Sequence, residues 1–224
     1  MAYHSLIAIN TNLKLSNYTY MAQYFVTGID TEVGKTIASS ILVEALEADY
    51  WKPVQAGELD NSDTNVVQSL ISNSKSHFFP EQYRLNTPAS PHYAAEVDQI
   101  TIDFDAFQLP QTSNNLIVEG AGGLFVPLND DYLIIDLIQQ LNIPVILVAK
   151  FYLGSINHTL SSIDALQRRN IPIAGIVFNG PVTESSQDYI LKYTKVPLLA
   201  NFPWMDNISK KEIQKYAKVV RNLL

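Results

Sequence analysis

The sequence of 224 residues contains no cysteine. Disulfides, thiolate metal sites and a cysteine nucleophile are therefore excluded, and a reducing cytoplasm is the simplest compartment. It also has no apolar run near the roughly 20 residues that a membrane-spanning helix requires. Positive charge is scarce: 15 Lys and Arg stand against 22 Asp and Glu, for a net charge of -7. Phosphate-backbone contacts need a basic footprint, so no nucleic-acid partner is expected. A small anionic ligand needs only one local lysine cluster and stays open. The four histidines are scattered, which gives a histidine metal site little support. Neither an internal repeat nor a low-complexity linker divides the chain. Hydrophobic residues at 47% and charged residues at 17% suit one α/β domain with a sizeable core.

The opening "MAYHSLIAINTNLKLSNYTYMAQ" lacks a basic start, a sustained apolar stretch and a small-residue cleavage site, so it does not read as a signal peptide. Residues 1–22 are expected to be an extension from an over-early start codon, ahead of a domain at 23–224. Met21 immediately precedes the first strand expected, Gln23–Gly28. A helix is expected over Lys35–Ala48, then a short strand in "YWKPVQAG" that stops at Pro53. A further helix is capped by Asn61 or Ser62. "YRLNTPASPHYAAE" reads as a loop leading into a helix, and "NNLIVEGAGG" as a buried strand. Strands follow at Pro144–Lys150, Ile173–Asn179 and Pro197–Phe202. Helices are expected at Tyr132–Leu141, Ile156–Asn170, Ser186–Thr194 and Lys210–Leu223. Short apolar strands alternating with amphipathic helices predict a mostly parallel central sheet with helices on both faces. Ligands of such sheets sit beyond the carboxyl ends of the strands.

The residues with chemistry to offer gather at those ends. Strand, glycine loop, Lys35-Thr36 and helix form the context of a P-loop, although five residues separate Gly28 from Gly34 where the common pattern has four. Backbone N–H groups there point at phosphates, Lys35 adds a mobile charge, and Thr36 offers a hydroxyl to Mg²⁺. Glu119 ends the strand "LIVE", where it either holds Mg²⁺ or is a solvated strand-end acid. Asp63 begins a helix, so a cap and a metal ligand are both open to it. Lys52 follows a strand: a surface lysine, or with Lys35 a second ammonium for a transferring phosphoryl. Asn179 precedes Gly180 and reads as a turn residue or as an amide for a nucleobase edge. His158, Arg84 and His92 receive no catalytic role.

Taken together, "YFVTGIDTEVGKT", "KPVQAG", "NSD", "PASPH", "VEGAGG", "LGSINH", "FN" and "PW" resemble the dethiobiotin synthetase family from Tyr24 to about Trp204. The lengthened P-loop belongs to that family. The resemblance implies a P-loop NTPase fold and a reaction of 7,8-diaminopelargonic acid, CO₂ and MgATP that yields dethiobiotin, ADP and phosphate. It passes through a carbamate and a carbamic-phosphoric anhydride. It further implies that Glu32, Val33, Gly34, Lys35, Thr36 and Ile37 lie beside the phosphates, with Thr36, Asp63 and Glu119 around Mg²⁺. Lys52 takes the position of the active-site lysine. Gly122 falls near the phosphates, Asn179 and Gly180 near the adenine, and Pro203, Trp204 and Met205 along the nucleotide. The family is a homodimer, and the substrate carboxylate meets the loop with Gly154 and Ser155, Asn157, and Tyr189 of a partner. Ala56 stands where relatives often carry Ser or Thr near the substrate, and the segment before Lys52 is shorter than usual. A partitioning or positioning ATPase is the competing class. It carries an extra lysine early in the P-loop, where this chain has Asp30 and Thr31, and often ends in a basic amphipathic helix such as "SKKEIQKYAKVVRNLL". Amidation of the cobyrinic acid type needs a cysteine nucleophile, which this chain lacks.

Overall fold

The computed structural model describes residues 21–205 and 207–221. Residues 1–20 of the extension expected at 1–22 therefore lie outside them, as does the end of the helix expected to reach Leu223. In chain order the elements are β1 (Gln23–Gly28), α1 (Lys35–Leu46), β2 (Asp49–Trp51), β3 (Val54–Ala56), α2 (Asp63–Leu70), β4 (Phe78–Phe79), β5 (Tyr83–Leu85) and α3 (Pro91–Asp98). They continue as β6 (Leu116–Gly123), α4 (Ile134–Leu141), β7 (Val145–Lys150), α5 (Ser155–Arg168), β8 (Ile173–Asn179), α6 (Glu184–Thr194), β9 (Leu198–Phe202) and α7 (Lys210–Val220). Seven strands form one sheet in the order β4-β2-β6-β1-β7-β8-β9, while β3 and β5 pair separately. Every pairing between these strands is parallel. The chain leaves β1 toward one edge, returns at β6, and then crosses to β7 and the other edge. This reversal beside β1 opens a crevice at the strand ends.

Burial explains the central strands. Phe25, Val26, Leu116, Ile117, Val118 and Val145 to Val148 are all buried, so these runs are apolar on both faces. One expected boundary shifts and one strand is added, each for a local reason. The helix expected to reach Ala48 stops at Leu46 because Glu47 turns left-handed (φ 51°) and Ala48 N–H closes onto the Val43 carbonyl. The short strand expected to stop at Pro53 does so, ending at Trp51, because Pro53 has no N–H to continue the ladder; a second strand, Val54–Ala56, follows it. The chain leaves the main sheet there, and Val54–Ala56 pairs with Tyr83–Leu85 instead.

Helix α4 starts at Ile134 rather than Tyr132, since Pro127 and Leu133 form an antiparallel bridge and the Leu133 N–H donates to Asp136 Oδ2. Ser62, not Asn61, caps α2 by accepting from the Asn65 N–H. The basic helix α7 buries Ile213, Ala217 and Val220 and packs against α1. Arg221, just beyond it, donates to the Ala45 and Glu44 carbonyls at the end of α1. Glu44, on the same helix, accepts from the Ser72 and Asn73 N–H groups and from their side chains. No described helix is long and apolar enough to cross a membrane.

Candidate functional site

Helix α1 opens at Lys35 with neither a side-chain cap nor an acidic residue in its first turn. Its first N–H groups are open to an anion, and the helix dipole favours one there. The preceding loop is bent by two left-handed residues, Glu32 (φ 56°) and Gly34 (φ 91°). A β-carbon on Gly34 would lie 1.9 Å from Asn179 Nδ2, so any larger residue would have to displace that side chain or the loop. The same Nδ2 donates to the Val33 carbonyl at 3.0 Å, tying the loop to the end of β8. Lys35 Nζ donates to the Asp30 carbonyl at 3.2 Å, which wraps the loop around the lysine.

Three oxygens from three elements converge next to it. Thr36 Oγ1 lies 2.7 Å from Asp63 Oδ1 and 3.1 Å from Glu119 Oε1; its single proton serves one of them at a time. Glu119 reaches this point because β6 pairs with β1 up to Val26 opposite Glu119 and then bulges before Gly123. Lys52 Nζ sits 2.6 Å from Asp63 Oδ2 and 3.3 Å from Glu119 Oε1, and donates to the Gly120 carbonyl at 2.9 Å. Lys52 is 3% exposed and Glu119 0%. Burial opposes the Lys52 charge, but Glu119 and Asp63 outweigh it and raise its pKa. Burial likewise opposes the Asp63 charge. The Lys52 cation and the hydrogen bonds from Lys52 and Thr36 hold that carboxyl below its usual range. Lys35 is pushed down to about 8, by burial first and then by the like charge of Lys52, against the pull of Glu119, Asp63 and Asp30.

Two further side chains support these acids. Tyr50 Oη donates to Glu119 Oε2 at 3.0 Å. Burial, reinforced by the negative charge of Glu119, lifts the pKa of that phenol well above its ordinary value. Gln55 Oε1 accepts from the Asp63 N–H at 3.2 Å, and its Nε2 donates to the Gly57 carbonyl. Among the described residues no three His, Cys, Asp or Glu side chains form a metal cluster. The set is thus two carboxylates and one hydroxyl. Hard oxygens in that small number fit Mg²⁺, which keeps waters and takes phosphate oxygens as its remaining ligands.

A cavity of about 760 Å³ contains this centre. Of the residues expected from sequence, Glu32, Gly34, Lys35, Thr36 and Ile37 line one side, with Lys52, Ala56, Asp63, Glu119 and Gly122 around the rest. A second cavity of about 210 Å³ lies between Glu32, Gly34 and Ile37 on one side and Asn179, Pro203, Trp204 and Met205 on the other. Lys150 Nζ lies 5.4 Å from the centre of the Trp204 ring. Val33 and Gly180 line neither cavity. Val33 offers its carbonyl to Asn179, and the Gly180 N–H donates to the Phe202 carbonyl.

Gly154 and Ser155 form the start of α5, also away from both cavities. Asn157 is exposed, and exposed Tyr189 stacks on Tyr193 with ring centres 5.9 Å apart. Sequence reasoning passed over Tyr50, Gln55, Ile208 and the wall formed by Pro88, Ala89 and Ser90. "KPVQAG" and "PASPH" contain part of that set, but a polar or small residue beside a motif announces no direction.

A family model described as AAA domain matches residues 22–212. An ATP-dependent dethiobiotin synthetase of Christiangramia forsetii is 50% identical over 204 residues, covering 90% of this chain and 97% of that one. One from Cytophaga hutchinsonii is 49% identical, covering 88% and 96%. Among solved structures, the cell division ATPase MinD of Pyrococcus furiosus superposes with a TM-score of 0.55 at 12% identity, over 91% of this chain and 100% of that one. The septum site-determining protein MinD of Pyrococcus horikoshii, solved with Mg-ADP, gives 0.54 at 13% identity, over 91% and 96%. The two structural likenesses establish the shared fold and nothing more.

Proposed function

This chain belongs to the ATP-dependent dethiobiotin synthetases, and from that premise we propose that it closes the ureido ring of dethiobiotin from 7,8-diaminopelargonic acid, CO₂ and MgATP. The observation that carries the reading is the meeting of Lys35, Thr36, Lys52, Asp63 and Glu119 in one cavity at the head of α1. The open first turn of α1 and Lys35 bind the triphosphate. Asn179, with Pro203, Trp204 and Met205, borders the base, and Gly180 orients Asn179. Thr36, Asp63 and Glu119 would hold Mg²⁺, which supplies positive charge against the phosphates. Residues 23–224 act as one domain in the cytoplasm.

One amine of the substrate takes up CO₂ as a carbamate, and a carbamate oxygen attacks the γ-phosphorus, with ADP leaving. The second amine then attacks the carbamate carbon, loses its proton, and expels phosphate as the ring closes. Lys35 and Lys52 offset charge on the phosphoryl group in transit. For Lys52 this means exchanging its contact with Asp63, whose side chain is 30% exposed, for a phosphoryl oxygen. Ala56 offers no hydroxyl to the substrate.

Gly154, Ser155 and Asn157 lie outside the cavity of their own chain, and Tyr189 presents an exposed ring. That arrangement suits a homodimer in which a partner's Tyr189 and this loop hold the substrate carboxylate. Sedimentation at assay concentration should give a dimer; a fully active monomer would remove this part. The reaction itself is tested with ¹⁴C-bicarbonate, the diamine and MgATP. Label in dethiobiotin with one ADP per ring is expected. ATP hydrolysis that ignores the diamine but responds to lipid or DNA would favour a positioning ATPase. Against that class, Ile213, Ala217 and Val220 of α7 are buried on the protein itself.

A further inference from the structure

The second oxygen of Glu119 has a partner that the reaction scheme does not use. Oε1 faces Thr36 and Lys52, while Oε2 accepts from the Tyr50 hydroxyl at 3.0 Å. Strand register accounts for the meeting. Tyr50 pairs with Ile117 and Trp51 with Val118, and Glu119 lies two residues beyond Ile117 on the same face of the sheet. Lys52, two residues on from Tyr50, meets the other carboxylate oxygen. Tyr50 is fully buried, and its ring packs on Phe78 with centres 5.9 Å apart. A wholly buried carboxylate cannot turn to water when it loses a partner, so its orientation depends on the donors around it.

We propose that Tyr50 is a positioning residue, whose hydroxyl fixes the rotation of the Glu119 carboxylate so that Oε1 stays aimed at Thr36 and the metal position. The proposal rests on the reading of Glu119 as a metal ligand. A carboxylate held at one oxygen cannot swing about its terminal bond without breaking that contact. With Tyr50 removed, Oε2 loses its donor, and Lys52 is free to draw the group toward itself. Partners of metal ligands are commonly worth 10–100-fold in metal affinity.

The test is Mn²⁺ binding, followed by electron paramagnetic resonance in the presence of a non-hydrolysable ATP analogue, with kcat and KM measured in parallel. In Tyr50→Phe, which keeps the ring, we expect Mn²⁺ affinity to fall at least about tenfold and kcat to fall while KM for the diamine holds. Phe78→Leu loosens the packing but keeps the hydroxyl, so it should lower the melting temperature and leave Mn²⁺ affinity alone. Unchanged Mn²⁺ affinity in Tyr50→Phe overturns the proposal, and so does an equal loss in Phe78→Leu. Should the unsubstituted protein bind Mn²⁺ as tightly as Glu119→Gln does, the metal reading itself fails, a result distinct from either.

Discussion

Lys52 directs its ammonium at Asp63, Glu119 and the Gly120 carbonyl. Removing it takes a phosphoryl partner and strands two acids beside each other. Lys52→Met should therefore lower kcat by about 10²–10³ and also destabilise the fold by about 3 kcal/mol. Adding Glu119→Gln to that variant should restore part of the stability and none of the turnover; stopped-assay rates and thermal melts separate the two effects. Gly34 permits a sharper test. With the β-carbon position 1.9 Å from the Asn179 amide, Gly34→Ala displaces either the P-loop or Asn179. ATP affinity should fall by more than tenfold, roughly the 1.4 kcal/mol equivalent, when titrated by calorimetry. Gly154→Ala is the control, because a β-carbon there meets nothing within 4 Å; its positive φ (102°) adds comparable backbone strain but no clash at the loop. Loss of ATP affinity in the control alone would contradict the steric account.

Between elements, Glu44 fastens α1 to the segment after α2. Burial opposes its charge, but hydrogen bonds from Ser72 and Asn73 outweigh that and lower its pKa below 4.5. Glu44→Ala should cost about 2–3 kcal/mol, since hydrogen bonds to a buried carboxylate are the stronger kind. The sign with pH follows from the lowered pKa. The contribution is fully present above pH 4.5 and is lost as pH falls through the lower folded value. Melts of the two proteins should converge on acidification; a gap that stays constant down to pH 3 or so would contradict the linkage. Central strands were readable from sequence because burial on both faces leaves an unbroken apolar signature, as in Ile173–Asn179, found with the bounds expected. The shortest strands were not. Phe78–Phe79 and Tyr83–Leu85 are two and three residues long, too short for any period to show, and Pro53 hid a change of sheet. At the site, the P-loop and Glu119 were legible because phosphate chemistry demands those residue types at those strand ends; Asp63, at a helix start, read equally as a cap, and only the family resemblance singled it out. Tyr50 and Gln55 were not legible, because their roles come from register and from a turn.

The whole molecule shares its architecture with MinD proteins at 12–13% identity, so the layout of the sheet constrains chemistry very little. What ATP contributes to the fold is measurable all the same. At a hundred times its dissociation constant, ATP with Mg²⁺ should stabilise the protein by about 2.7 kcal/mol, or roughly 5–10 °C for a chain of this size. Chelation that leaves the shift intact would argue against a shared metal. One further consequence comes from the grip of α7 on the helix behind the P-loop. Arg221 reaches Ala45 across 176 residues of sequence. During synthesis at about 5–20 residues per second, the nucleotide loop emerges early while the flank of its helix lies bare for roughly 9–35 seconds, until the ribosome has delivered α7. A nascent chain stalled before α7 should hold ATP poorly and attract holdase chaperones, so nucleotide binding waits on the synthesis of α7.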